Sequence, residues 1–235
     1  MRTIFYILSL LLFSTLSAQP QNDYYRIFNG RYYQAEKYLK SHEKMFLQRC
    51  TQFHTDYLTA ISVVFPELIR YNPEGDMIET MSNRVFYGNF GGGYGTFSTG
   101  CFQMKPVFIE EMESYILSHA AVLSEFRFIA EYPIAVEDEV EIRKARLSRM
   151  SKPEWQIVYL CCFLKIMNLR FPSQSQDTEE KIRFLATAYN RGFLCSEVEI
   201  KKWMKLSSFP DGINSARKQY NYGDVAWYAY RKLQK

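Results

Sequence analysis

The chain has 235 residues, of which 47% are hydrophobic and 17% aromatic, and its formal net charge is +4. This length and apolar content suit one domain with a substantial hydrophobic core. A positive charge favours anionic partners such as cell-wall polymers or membrane surfaces. Basic residues are interleaved with acidic ones and form no long block, so nucleic acid is excluded from the predicted partners. Many of the aromatic residues are tyrosines, whose flat face and hydroxyl suit contacts with sugars.

The N-terminus has the pattern of an export signal. One charge, Arg2, precedes an apolar run from Ile4 to Leu16, and small residues follow up to Ala18. This pattern predicts a signal peptide over residues 1–18 and a mature protein in the periplasm or outside the cell. A membrane anchor is the alternative, but the run is shorter than the roughly 20 residues that span a bilayer. No cysteine stands at the cleavage site, so we expect neither a lipid anchor nor a transmembrane anchor in the mature form.

Two helices are predicted next, at residues 32–53 and 56–71. The first is amphipathic, and the second keeps an apolar stripe at helical spacing that includes Ile61 and Leu68. Pro66 falls inside the second helix. Because proline lacks an N–H donor and crowds the carbonyl four residues earlier, we expect a kink or a new turn there.

Residues 72–106 differ in character from the helices before them. They are rich in glycine, asparagine and tyrosine, and their glycine clusters are typical of turns and bulges. We therefore predict short strands and loops, which form a small irregular β region. The glycines at 91–93 do not make a phosphate-binding loop, because no Lys-Ser/Thr pair follows at the required distance.

The remainder of the chain is predicted to be helical almost to its end. Apolar periodicity indicates five helices, at residues 108–132, 136–150, 153–169, 177–193 and 224–235. The second of these is highly charged and solvated, whereas the third is apolar on all sides and should be the central buried helix. The fourth opens with Asp177 and Glu180 in a capping-box arrangement and stops at Gly192. The predicted fold class is mainly α, of the α+β type.

Five cysteines in an exported chain cannot all pair. Cys161 and Cys162 lie in a strongly apolar stretch and are expected to be free and buried. Cys50 and Cys195 are candidates for a disulfide. The three histidines have no metal-ligand spacing, so we predict no metal site and no cofactor.

A glutamate at the end of the second predicted helix is the first candidate for chemistry. On a helix, Glu67 has Ala60, Val63 and Val64 as neighbours, and apolar neighbours raise a carboxyl pKa by desolvation. Arg70, one turn later, should lower it again. Taken alone, a glutamate in a helix is more often a solvated surface residue.

Two further stretches carry polar side chains in unusual places. Residues 97–106, FSTGCFQMKP, put Gln103 between two apolar residues shortly before a proline. Residues 186–192, ATAYNRG, end a predicted helix with Tyr189 and Asn190, which could face a cleft. The alternative for these two is a core tyrosine and a helix-terminating asparagine.

In this order, the three patterns resemble the lysozyme-like superfamily, specifically the lytic transglycosylases and goose-type lysozymes. That family has a catalytic glutamate at a helix end, a Gly-Leu-Met-Gln-Leu-Met-Pro motif that ends a β region, and an Ala-Tyr-Asn-x-Gly motif that ends a later helix. Residues 100–106, GCFQMKP, keep the glycine, glutamine and proline of the first motif, and residues 188–192, AYNRG, match the second. The resemblance covers about residues 54–106 and 151–193.

The resemblance implies a division of the chain and a set of site residues. A signal peptide (1–18) and an N-terminal helical segment (19–53) precede a lysozyme-like transglycosylase domain (54–235) with a helical insertion around 107–150. Glu67 is implied as the catalytic residue, and the implied substrate-binding residues are Ser98, Gly100, Gln103, Tyr189 and Asn190. In such enzymes the glutamine points into the sugar-binding groove beside the acid, the tyrosine reaches the glutamate or the sugar, and the asparagine holds the helix end or the cleft wall.

The implied function is that of an exported lytic transglycosylase. Such enzymes cut the MurNAc-GlcNAc bond of peptidoglycan glycan strands with one glutamate, which acts first as acid and then as base and leaves a 1,6-anhydro product. A hydrolytic muramidase is an alternative, with Glu74, Asp76 and Glu79 as candidates for its second carboxylate in a predicted exposed loop. A second alternative is a protein that binds peptidoglycan without cleaving it. Leu68 favours this alternative, because the family usually has serine at the position after the catalytic glutamate. A helical interaction module with no glycan ligand also stays open.

Overall fold

The structure is a computed structural model that describes residues 22–133, 138–172 and 177–234. Over these ranges the chain is mainly helical, as predicted. The predicted signal peptide lies outside the described residues. Among the helices of the described part, none combines the length and apolar character that crossing a bilayer requires.

The described residues contain ten α-helices. These are α1 (Tyr24–Phe28), α2 (Gly30–Gln52), α3 (Tyr57–Arg70), α4 (Pro73–Phe90), α5 (Pro106–Ser118), α6 (Glu139–Met150), α7 (Pro153–Arg170), α8 (Thr178–Arg191), α9 (Glu197–Trp203) and α10 (Tyr222–Leu233). Two short 3₁₀ segments lie at Gly92–Tyr94 and Ser124–Ile129. Two strands, β1 (Ser207–Phe209) and β2 (Tyr220–Asn221), pair antiparallel between α9 and α10.

Most of the predicted helices are confirmed, because α2, α3, α6, α7, α8 and α10 occupy the predicted stretches to within a few residues. α7 is the central helix, and its side chains from Gln156 to Met167 are buried except for the half-buried Lys165. Each large apolar side chain of this kind contributes about 1.5–3 kcal/mol of transfer free energy when it leaves water. Asp177 caps α8 as predicted, since its carboxylate accepts from the backbone N–H of Glu179 at 3.0 Å.

Helix α3 runs unbroken past Pro66. Every residue from Ala60 to Ile69 is buried, and the helix packs against α2, α8 and α10. Of the two expected alternatives, a kink or a new turn, the new turn is absent from this described helix, because packing on all sides outweighs the one hydrogen bond that proline removes. The C-terminal turn of α3 carries Glu67 into the centre of the molecule.

The predicted β region over residues 72–106 is wrong for its first half. Residues Pro73–Phe90 form α4, which Asn72 caps by accepting from Glu74 N at 3.3 Å and which Gly91 ends with a φ of 68°. Proline in the first turn and glycine after the last one are helix boundary signals, and they outweigh the composition in between. What remains of the β region is one isolated bridge, Thr99 to Met104.

The single helix predicted over residues 108–132 is also wrong. α5 ends at Ser118, and the backbone turns before the 3₁₀ segment begins. Leu123, Phe126 and Ile129 are all fully buried. Their spacing of three residues puts them on one side of a 3₁₀ helix, so this conformation buries all three together.

All five cysteines are free, so the candidate disulfide between Cys50 and Cys195 is absent. The side chain of Cys50 instead hydrogen-bonds with Cys161 inside the core. Cys195 is half-buried in the turn after α8. Cys161 and Cys162 are buried and free, as predicted.

Candidate active site

One cavity collects residues from all three sequence patterns. It has a volume of about 420 Å³ and opens beside the C-terminal ends of α3 and α8 and the start of α5. Glu67, Gln103, Tyr189 and Asn190 all contribute to its wall. These residues are up to 123 positions apart in the chain, so tertiary packing alone brings them together. We call this the site cavity.

The ends of two helices shape the site cavity. α8 stops because Gly192 adopts a φ of 121°, which favours glycine, while its N–H bonds to the carbonyl of Ala188 at 2.9 Å. α3 ends where the N–H of Tyr71 bonds to the carbonyl of Glu67 at 2.8 Å. Because α3 packs directly against α8, the two last turns lie side by side, and Asn190 reaches Glu67.

Glu67 is 2% exposed, and three side chains donate to its carboxylate. Arg70 Nη2 lies 2.7 Å from Oε2, the Tyr222 hydroxyl donates to Oε1 at 3.1 Å, and the Asn190 amide also hydrogen-bonds the group. Burial is the largest influence and raises the pKa of Glu67, whereas the three donors act in the opposite direction. The net result is a carboxyl pKa above its ordinary value, which favours the protonated acid.

Tyr222 was not identified from the sequence. It opens α10, lies 155 positions from Glu67 along the chain, and is fully buried beside it. Burial raises its pKa well above the ordinary value, so the phenol stays neutral and can donate. No local pattern marks this tyrosine, and only the packing of α10 onto α3 reveals its partner.

Gln103 occupies a left-handed turn at the edge of the site cavity. Its φ is 50°, an unusual value for a residue with a Cβ, and its side-chain Nε2 donates to the carbonyl of Gly100 at 2.9 Å. The side chain is half-buried. Among the described residues, no hydrogen bond uses its Oε1 atom, so this oxygen is available to a ligand in the cavity.

Gln156, from the central helix α7, holds the turn that carries Gln103. Its Oε1 accepts from Phe102 N at 3.0 Å, and its Nε2 donates to the carbonyl of Thr99 at 3.1 Å. Gly100 has a φ of 75°, and a Cβ there would lie 1.5 Å from Gln156 Nε2. Gly100, implied as a substrate-binding residue, is therefore required for packing between the turn and α7, and it does not line the site cavity.

Ser98 lies beside the site cavity and does not line it. Its backbone N–H donates to Glu79 Oε2 at 2.8 Å, and it lines a neighbouring cavity of about 430 Å³. The two cavities share Arg70, Gln103 and Lys105. They therefore lie next to each other at the turn of Gln103, and we call the pair of cavities the groove.

Tyr189 is buried in the wall of the site cavity. Its hydroxyl donates to the carbonyl of Phe102 at 2.9 Å, and its ring packs at right angles to that of Phe163. The tyrosine therefore ties α8 to the turn of Gln103, and its hydroxyl does not reach Glu67. Asn190, which is exposed, makes that contact and also lines the cavity wall as expected, while contact of Tyr189 with a sugar stays a prediction.

The carboxylates proposed for hydrolysis have other contacts. Glu74, Asp76 and Glu79 lie on α4, not in a loop, and Asp76 accepts from Gly100 N at 2.6 Å. None of the three lines the site cavity, although Asp76 and Glu79 line the neighbouring one. Glu111, which the sequence analysis missed, does line the site cavity. Burial, with a smaller contribution from a neighbouring glutamate, raises the pKa of Glu111.

The lining of the site cavity is mixed in character. Lys105 and Arg191 add positive charge to that of Arg70, and apolar walls are supplied by α5 and by the turn after α8. No family model matches this chain, and neither the curated proteins nor the solved structures that were compared with it give a match. The chemistry of the site is therefore inferred from the residues that line it.

Proposed function

We propose that the protein is an exported lytic transglycosylase that cuts the MurNAc-GlcNAc bond of peptidoglycan, with Glu67 as its acid and base. The observation that carries this proposal is the buried carboxyl of Glu67 at the wall of a cavity. Glycosidic cleavage requires an acid that is still protonated near neutral pH, and burial raises the pKa of Glu67 in that direction. The motif match around Gln103 and Asn190 supports the choice of substrate class.

The surroundings of Glu67 suit both halves of the reaction. In the first half, Glu67 gives its proton to the glycosidic oxygen and the bond from that oxygen to C1 breaks. The resulting carboxylate is stabilised by Arg70, Tyr222 and Asn190. In the second half, the 6-hydroxyl of the same muramic acid attacks C1 and its proton returns to Glu67. No water is consumed, and the sugar leaves as the 1,6-anhydro product.

The groove also suits a polymer. The site cavity and its neighbour lie next to each other, because Arg70, Gln103 and Lys105 line both, so consecutive sugars of one strand can occupy the two cavities. The free Oε1 atom of Gln103 can accept a hydrogen bond from a sugar hydroxyl or acetamido N–H group. The cations suit the carboxylates of the stem peptide, or the lactyl carboxylate of a muramic acid that carries no peptide.

A hydrolytic muramidase is the second candidate, because one further carboxyl, Glu111, lines the site cavity together with Glu67. In that mechanism Glu111 would activate a water molecule or stabilise the positive charge that develops on the sugar ring. Glu67 acts as the acid in both candidate mechanisms, so the two differ in whether Glu111 takes part in the reaction.

Digestion of purified sacculi, followed by mass spectrometry of the soluble products, tests the proposal. Products that end in 1,6-anhydromuramic acid support the transglycosylase, and reducing ends support the muramidase. If the protein sediments with sacculi and releases no soluble product, it binds peptidoglycan without cleaving it. That result would agree with the position after Glu67, where Leu68 is buried and does not line the site cavity.

A further inference from the structure

Helix α4 presents an apolar face to solvent. Six of its large hydrophobic side chains are between 45% and 68% exposed, namely Met77, Ile78, Met81, Val85, Phe86 and Phe90. Tyr94, in the 3₁₀ segment that follows, is 54% exposed and its ring lies 5.7 Å from that of Phe90. We call these seven residues the α4 face.

The α4 face is not part of the candidate active site. None of its residues lines the site cavity or the neighbouring cavity. α4 does support the site, but through Asp76 and Glu79, which accept from the backbone of the loop at 98–100. The exposed apolar residues therefore have no role in the groove that would explain them.

The size of the α4 face matches one half of a protein interface. Aromatic side chains bury about 150–250 Å² each and aliphatic ones less, so the seven, which are about half exposed and cover the outer half of α4, present at most roughly 800 Å². The largest apolar patch on a typical monomer covers about 300–600 Å². A stable pair of proteins buries roughly 800 Å² on each partner.

The composition of the α4 face points to a protein partner. Methionine and aromatic residues are enriched at the centres of protein interfaces, whereas lysine, glutamate and aspartate are depleted. The face has two methionines and three aromatic rings, and the exposed polar residues beside them are Asn89, Glu74 near one end and Arg84 at its edge. A helix that docks on a membrane surface would instead carry several basic residues beside its apolar face.

We propose that two copies of the chain associate through the α4 face, about a two-fold axis. In such an interface the same surface of each copy is buried against the other, so a single apolar face on the chain is sufficient to form a dimer. The nearly neutral charge of the face permits this, because two copies of a strongly charged face would repel each other. The inference is independent of the proposed function.

Sedimentation velocity of the protein, purified from cells that express the full chain, tests the pairing. Interfaces of this size have dissociation constants between the micromolar and the picomolar range, so we expect a dimer at about 1–100 μM. Met81→Lys should weaken association at least a hundredfold, since it places a charge in the desolvated centre. Val198→Lys is the matched control, because Val198 is 78% exposed on α9, away from the face, and it should leave the dimer intact.

Three results would overturn the pairing: a monomer at every concentration, a dimer that persists in Met81→Lys, or a monomer that floats with phosphatidylcholine vesicles. Circular dichroism checks that the lysine variant folds, as expected for a side chain that is 59% exposed. Phe90→Ser, at a position that is 68% exposed, provides a second variant if the first unfolds. Digestion of sacculi does not enter these measurements, so failure of the pairing is distinct from failure of the proposed activity.

Discussion

Replacement of Glu67 by glutamine is the sharpest test of the candidate site. Glutamine keeps the shape of glutamate but has no proton to give to a glycosidic oxygen. Its amide can still bond to Tyr222 and Asn190 and can turn its oxygen towards Arg70, so only the charge is lost. Arg70 is 34% exposed in its side chain, and water can therefore compensate the guanidinium in part. We expect the free energy of unfolding to change by less than about 2 kcal/mol.

The activity should respond far more strongly than the stability. A general acid or base typically contributes about 10²–10⁴-fold to the rate, and here one residue serves both steps. Release of soluble muropeptides from sacculi, measured by chromatography and mass spectrometry, should therefore fall by at least about 10²-fold in Glu67→Gln. Glu111→Gln is the matched control in the same cavity, and it should keep most of the wild-type rate and the anhydro product. Near wild-type digestion by Glu67→Gln would refute the assignment of the acid.

The pH dependence of stability offers a second readout of the same carboxyl. Burial raises the pKa of Glu67 above its ordinary value of 4.5, so the folded protein holds this proton more tightly than the unfolded chain does. The resulting stabilisation is fully present below the unfolded pKa and is lost as the pH rises through the folded pKa. The melting temperature of the wild type minus that of Glu67→Gln should therefore fall as the pH rises from the ordinary carboxyl pKa of 4.5 through the raised pKa of the folded protein. A difference that is constant over this range would show that the carboxyl is not shifted.

Three further outcomes are expected. Gly100→Ala should lower the free energy of unfolding by about 2 kcal/mol or more, because its Cβ would overlap Gln156 in a left-handed backbone. In the control Gly93→Ala the new Cβ meets no atom within 4 Å, so the melting temperature should change far less. Equal effects of the two substitutions would contradict the packing role of Gly100. Tyr222→Phe removes one donor that lowers the pKa of Glu67, so the basic limb of the pH–rate profile should move to higher pH. An unmoved limb would show that this hydrogen bond does not tune the acid. N-terminal sequencing of the protein from the producing cells should find the predicted signal peptide removed, and recovery of the intact N-terminus would contradict export.

The sequence was sufficient to predict most of the helices. The apolar character of α7 on all sides and the caps of α8 are local properties, and the structure has both. α4 differs from the prediction because glycine and asparagine within it favour turns, whereas Asn72 and Gly91 at its two boundaries favour a helix between them. Leu123, Phe126 and Ile129 have the three-residue spacing of a 3₁₀ segment. This spacing alone does not predict the segment, because it depends on the core into which the three side chains pack.

Local motifs in the sequence were also sufficient to single out Glu67, Gln103 and Asn190, which line one cavity. They could not indicate Tyr222 or Glu111, because both arrive from helices that carry no matching motif. The amino-acid sequence alone does not show whether the hydroxyl of Tyr189 is free or hydrogen-bonded to the turn of Gln103.

The protonation of the candidate acid depends entirely on tertiary structure. The neighbours of Glu67 along its own helix predict a partly desolvated carboxyl beside Arg70, and no more than that. Burial to 2% exposure requires α8 and α10 to pack against α3, and the donors Asn190 and Tyr222 come with those helices. A carboxyl pKa is the balance between lost hydration and gained donors. Both quantities are set by distant segments, so only the folded chain decides whether Glu67 carries a proton.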